Sequence, residues 1–231
     1  MKKNLISQII KNWVPPIIAK ILKSCFSSKK GSSFTGEYTS WEEALDHCKG
    51  YDDADILKNV LASTLKVKLG EAAYERDGII FNTIEYSWEA LAGIMWAASR
   101  NNGQLCVLDI GGSLGTTYFQ NKKFLDHINL LSWNIIEQAH YVKTGIKYIQ
   151  DEVLRFYDEI NKCLDESNPN VILISSSFQY IQELDYYMSL IKNIGADVII
   201  FDRTIIQKMH SNQIFVQHAS SSIGGSYPCY S

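Results

Sequence analysis

Leu105-Cys106-Val107-Leu108-Asp109-Ile110-Gly111-Gly112-Ser113-Leu114-Gly115 decides the fold. Its first six residues are an aliphatic run too short for a buried helix, which reads as a strand covered on both faces. The three glycines then make a tight turn, and the residues on to His127 read as a helix. The same texture repeats downstream. Trp133-Asn134-Ile135-Ile136-Glu137, Val153–Tyr157, Val171-Ile172-Leu173-Ile174-Ser175 and Asp197-Val198-Ile199-Ile200-Phe201 read as strands. Helical stretches near 139–149 and 180–193 separate them, and Gln213–His218 reads as a final, mixed strand. Strands alternating with helices predict an α/β fold, a Rossmann-like doubly wound and mostly parallel sheet.

Upstream the pattern is mainly helical. Ser40-Trp41-Glu42-Glu43 is a capping-box pattern, and Gly50 closes the short helix it opens. Asp53–Leu65 and Trp88–Ser99 read as helices, the second capped by Ser87. Only Gly78-Ile79-Ile80-Phe81 resembles a strand there. The reading therefore divides the chain into a basic leader at 1–30, a helical extension at 34–100 and a Rossmann-like core at 101–231, joined to the leader by a polar linker at Ser27–Ser33.

The charge pattern supports the leader as a separate part. The 231 residues carry 22 basic and 25 acidic side chains, a net charge of −3. Residues 1–30 hold seven lysines and no acid, which leaves a balance of −10 for the rest. Leu5, Ile9, Trp13, Ile17 and Ile21 form an apolar stripe, broken at Pro15-Pro16, opposite the lysines. Such a helix lies on an anionic membrane through residues 1–26, at the inner face, or packs on its own domain. No run of about 18 apolar residues occurs, so nothing is expected to span a bilayer. The acidic body argues against nucleic acid as a partner. Five widely spaced cysteines without a C-x-x-C pair, and five histidines apart from them, point to a reduced cytoplasmic protein without a metal.

Ligands of doubly wound sheets sit at the carboxyl ends of the strands, so the glycine turn is the candidate site. A phosphate-cradling P-loop requires a lysine that is absent after Gly115. A dinucleotide fingerprint requires glycine at 113 and 116, which are Ser113 and Thr116. Gly111-Gly112-Ser113-Leu114-Gly115 matches the G-x-S-x-G elbow of a serine hydrolase, with Asp202 and His218 following in the required order. Against that, the residues before 105 supply few strands and no oxyanion loop. S-adenosylmethionine binding fits the spacing as well, through an acid near the strand end, a glycine turn and an acid at the next strand tip. Asp109, Gly111, Gly112, Gly115 and Glu137 supply that order. The alternative is that Asp109 caps the following helix and Glu137 ends a solvated strand.

Longer motifs carry a resemblance. They are Phe34-x-Gly36-x-Tyr38-x-Ser40-Trp41-Glu42-Glu43-Ala44, Gly50-Tyr51, Glu75-Arg76-Asp77-Gly78 and Leu108-Asp109-x-Gly111-Gly112-Ser113-Leu114-Gly115. Tyr118-Phe119-Gln120, Trp133-Asn134-x-x-Glu137-Gln138, Ser175-Ser176-Ser177-x-Gln179-Tyr180, Asp202-Arg203-Thr204 and Ser226-Tyr227-Pro228-Cys229 continue them. With these the chain resembles the class I methyltransferases, and more closely a methyltransferase-like family of bacterial surface-polysaccharide gene clusters. The resemblance implies a class I methyltransferase-type sheet and S-adenosylmethionine as cofactor, although after Phe201 too little chain is left for the usual helix and strand pair, so the sheet is expected to be shortened after its fifth strand. It implies O-methylation of a sugar or surface-polysaccharide precursor. Asp109, Gly111, Gly112, Ser113, Gly115, Glu137, Ser175 and Ser176 would then form the cofactor site, with Glu137 on the ribose.

The chain departs from the broader class where Ser113 replaces a glycine and where Ser175-Ser176 replaces an acidic motif. A hydroxyl acceptor requires a general base, for which His140 and Asp202 are the candidates. Arg76, Tyr118, Gln120 and Arg203 are candidates for acceptor binding. Glu75-Arg76-Asp77-Gly78 also reads as a plain charged turn, and Asp202-Arg203 as an internal ion pair. Two alternatives stand beside the enzyme: a non-catalytic methyltransferase-fold binding protein at the membrane, and a serine hydrolase using Ser113.

Overall fold

The computed structural model describes residues 33–48, 54–128, 130–204, 213–218 and 225–230. The leader at 1–30, most of the linker and Gly50-Tyr51 lie outside the described residues.

Five strands form one all-parallel sheet: β4 (Gln104–Ile110), β5 (Leu130–Ile136), β6 (Leu154–Tyr157), β7 (Val171–Ser175) and β8 (Val198–Asp202). Their spatial order is β6-β5-β4-β7-β8. The chain starts in the middle, steps outward to β6, then crosses back to β7. The switch point therefore lies between β4 and β7, where an open α/β sheet leaves a crevice for ligands. The aliphatic strands are buried on both sides. Leu105, Val107, Trp133, Ile135 and Leu173 pack under α2 (Ala54–Lys68), α3 (Trp88–Arg100), α4 (Thr116–Leu125) and α5 (Ala139–Tyr148). Leu108, Ile110, Ile172 and Ile174 pack under α6 (Ile160–Leu164) and α7 (Leu184–Ile194). The expected α/β, parallel, helix-flanked architecture is present.

Strands outside this sheet depart from the sequence reading. β1 (Ser33–Tyr38) pairs antiparallel with β9 (Ile214–His218), which also pairs with β10 (Ser226–Tyr230). Ser33 is thus strand rather than linker. The mixed strand near 213–218 is neither the last nor part of the main sheet. β2 (Tyr74–Arg76) and β3 (Ile79–Phe81) form a hairpin, joined by an Asp77-Gly78 turn with φ of +53° and +77°. Aspartate and glycine tolerate those values, so the charged-turn reading holds for Asp77-Gly78, whereas Glu75 and Arg76 belong to the strand.

Ser40 does cap α1 (Trp41–Leu45), accepting from the Glu43 amide at 3.1 Å. Glu43 Oε2 in turn accepts from the Thr39 amide, at 2.9 Å. Ser87 precedes α3 as expected, but its side chain makes no cap bond and donates elsewhere, as described below. From Ser33 on, the chain forms one compact unit. Among the described residues no helix is long and apolar enough to cross a membrane.

Candidate functional site at the carboxyl edge of the sheet

Asp109 is the last residue of β4 on the α4 face, and it is only 1% exposed. Its Oδ2 accepts a 2.9 Å hydrogen bond from Trp133 Nε1, while its Oδ1 has no partner. Burial raises its pKa from 3.8 to about 7; the Trp133 bond opposes this and the nearby Glu137 charge adds to it. The carboxyl lies beneath Gly112, where an added Cβ would sit 2.6 Å from Asp109 Cγ. Gly111, at φ +74°, is equally constrained, since a Cβ there would lie 2.3 Å from Ser177 Cβ. These two glycines make room for the protein's own side chains.

Glu137 ends β5 beside the same turn. Its Oε1 accepts from the Ser113 amide at 3.2 Å and its Oε2 from the Gln138 amide at 2.9 Å. Ser113 is held at φ +55°, a left-handed value that costs a non-glycine residue about 1 kcal/mol or more. Burial raises the Glu137 pKa and the two amides lower it.

A third carboxylate completes the surround. Glu75 reaches from β2 to the amino end of α4, where Thr116 Oγ1 donates to Oε1 and the Gly78 amide donates to Oε2. The side chain is buried, and burial raises its pKa. Glu75 therefore occupies the helix amino end that would otherwise attract a phosphate. The local sequence reads as part of a turn, because nothing in it shows a hairpin reaching α4 forty residues downstream.

Across the switch point, Ser177 Oγ donates to the Ile110 carbonyl at 2.6 Å, tying the β7 loop to the end of β4. Ser176 is exposed at φ +61°. Ser175 Oγ donates to Asp202 Oδ2 at 2.7 Å and Ser87 Oγ to Oδ1 at 2.8 Å. Arg203, at φ +49°, turns back to donate to Ser175 Oγ at 2.9 Å and lies 3.3 Å from Asp202 Oδ2. The internal ion pair is real. Three adjacent strands thus end in left-handed non-glycine residues, Ser113, Ser176 and Arg203, the kind of strain that gathers at functional edges.

No protein-family model matches this chain, and no curated protein does.

Other expected site residues have different duties. Tyr118 is 3% exposed and packs edge-on against Trp133, inside the core rather than on an acceptor. Gln120 is buried, and its Nε2 donates to the Glu85 carbonyl, fastening the segment before α3. The Arg76 guanidinium lies over the Phe81 ring, 5.5 Å from its centroid. His140 sits in the first turn of α5 against Tyr141, with Nε2 buried and unpartnered.

The hydrolase triad is not assembled. The Asp202 oxygens accept from Ser87 and Ser175 rather than from His218, and His218 Nε2 lies 2.7 Å from Thr35 Oγ1. Among the described residues no group of three or more His, Cys, Asp or Glu side chains is placed to hold a metal ion. A cavity of about 270 Å³ opens on the outer flank of α4, lined by Val67, Tyr86, Phe119 and Lys123. None of Asp109, Gly111–Gly115, Glu137 or Ser175–Ser177 borders it, so it is separate from the glycine turn.

Proposed function

We propose that the chain binds S-adenosylmethionine at the carboxyl edge of β4 and β5 and transfers its methyl group to a hydroxyl of a sugar or surface-polysaccharide precursor. The observation that carries the cofactor half is the ring of three carboxylates, Glu75, Asp109 and Glu137, around the Gly111–Gly115 turn. A dinucleotide or nucleoside triphosphate would bring phosphates to the amino end of α4, where Glu75 repels them. S-adenosylmethionine carries a net positive charge and a ribose diol, and both suit acidic acceptors. A carboxylate offers about four lone-pair positions. Glu137 uses two of them on backbone amides, so two remain for a diol. Asp109 Oδ1 is a further buried acceptor without a partner.

The bound cofactor supplies an electrophilic methyl group on a sulfonium. The chain's part is to position and orient. Glu137 and the Ser113 amide fix the shape of the turn, Ser177 locks the two switch-point strands, and exposed Ser176 and Arg203 face an acceptor. Positioning alone is worth about 7–11 kcal/mol in good intramolecular models. The sugar acceptor rests on the family resemblance, and a cytoplasmic location on the widely spaced, unpaired cysteines.

One observation favours the second reading, a non-catalytic binding protein. The base candidates are not set up as an exposed general base: Asp202 is tied to Ser87 and Ser175 and paired with Arg203, and His140 Nε2 is buried. Contact of the leader with anionic membrane belongs to that reading too.

Thermal shift with two ligands separates the chemistries. Saturating S-adenosylmethionine at about 100 times its Kd stabilises the fold by about 2.7 kcal/mol, whereas NAD gives no shift. A shift with NAD and none with S-adenosylmethionine overturns the proposal.

A further inference from the structure

The two edges of the main sheet are built differently. β6 is short and carries Arg155, a charge that discourages edge pairing. β8 is Val198-Ile199-Ile200-Phe201-Asp202, without charge in its first four positions and without proline, glycine or bulge. An unguarded apolar edge of this kind is a template for another strand. Among the described residues nothing pairs with its outer side.

Both flanks of that edge are apolar. Ile199 and Phe201 stay 38% and 40% exposed on the α6–α7 face. On the other face α3 comes so close that a Cβ on Gly93 would lie 2.9 Å from Ile200 Cδ1. Trp96, three residues along the same helix, remains 53% exposed.

We propose that β8 is the seam of a two-fold homodimer, with β8 of each protomer paired antiparallel about Ile200. A strand, unlike a flat apolar partner, satisfies the open row of N–H and C=O groups. The partner is a second copy because the segment is self-complementary in this register. Ile199 faces the partner's Phe201, and Phe201 faces the partner's Ile199. In this register Asp197, bonded to Asn101 in its own protomer, falls opposite the partner's Arg203, likewise bonded to Ser175 and Asp202 in its own, so charges of opposite sign meet at each end of the seam. Parallel pairing would set like charges side by side, which disfavours it. The contact is isologous, so it closes as a dimer and joins two five-stranded sheets into one.

Sedimentation equilibrium on the full chain over roughly 1–100 µM tests the seam, since association follows concentration by mass action. The wild type is expected to be a dimer. Ile199→Lys and Phe201→Lys, both at exposed positions, each weaken it at least about tenfold by placing charge on the seam. Asp197→Arg, outside the strand, weakens it by setting like charges together. Arg155→Glu at the opposite edge leaves it unchanged. Circular dichroism melts confirm that each variant is folded. A wild type that stays monomeric throughout, or a dimer indifferent to all three changes around β8, overturns the proposal. The readout needs no ligand, so it stands or falls apart from the cofactor proposal.

Discussion

Asp109→Asn tests the buried carboxyl beneath the glycine turn. The asparagine keeps an acceptor for Trp133 Nε1 but cannot ionise. In the unfolded chain Asp109 loses its proton near 3.8, and in the fold near pH 7, because burial disfavours the charge. Between those values the folded protein holds one more proton than the unfolded chain. The Asp109 contribution to stability therefore falls as pH rises from about 4 to 7, and is level above that. Each pH unit in the window is worth about 1.36 kcal/mol, so the full loss is roughly 4 kcal/mol. The variant lacks this loss. Urea unfolding of both proteins from about pH 4 to 8.5 should show the variant gaining on the wild type through the window and holding the gain above it. Glu75 and Glu137 also have raised pKa values, but they are present in both proteins and largely cancel in the difference. A difference that is flat with pH, or that moves toward the wild type as pH rises, refutes the burial argument.

Other changes probe the same edge. Gly111→Ala should destabilise the fold by roughly 1–3 kcal/mol in urea unfolding, because it meets Ser177 at 2.3 Å from a left-handed backbone. Glu137→Ala should weaken S-adenosylmethionine binding by about 1.5–3 kcal/mol, the worth of a hydrogen bond to a charged group. An unchanged affinity removes Glu137 from the site. Between pH 8 and 6 Asp109, with its pKa raised to about 7, takes up its proton, so the preference for S-adenosylmethionine over uncharged-sulfur S-adenosylhomocysteine should shrink; a preference that grows instead contradicts the electrostatic reading. A fluorophosphonate probe should leave Ser113 unlabelled, and labelling would restore the hydrolase.

The main sheet was legible because β4, β5, β7 and β8 are aliphatic runs, the pattern that strands buried on both faces impose. The small sheet was not. β1 is exposed along nearly its whole length, so no alternation marks it, and its partner β9 lies about 180 residues away. β10 contains Pro228, which argues against a strand, but it is an edge strand and tolerates a missing donor there. At the site, Asp109 and Glu137 could be read from their places at strand tips. The position of Glu75 over α4 depends on how a distant hairpin packs, and local pattern cannot carry it. Tyr118 and Gln120 open the helix after the turn, a place from which either packing on the sheet or reaching a ligand is expected, and both are buried.

Calorimetric titration of the full chain with S-adenosylmethionine, at a pH above 7 where Asp109 is ionised, tests the central claim most directly. The expected result is saturable 1:1 binding with a Kd below about 1 mM, or about −4 kcal/mol. Absence of binding at millimolar ligand, from a protein shown to be folded, contradicts it.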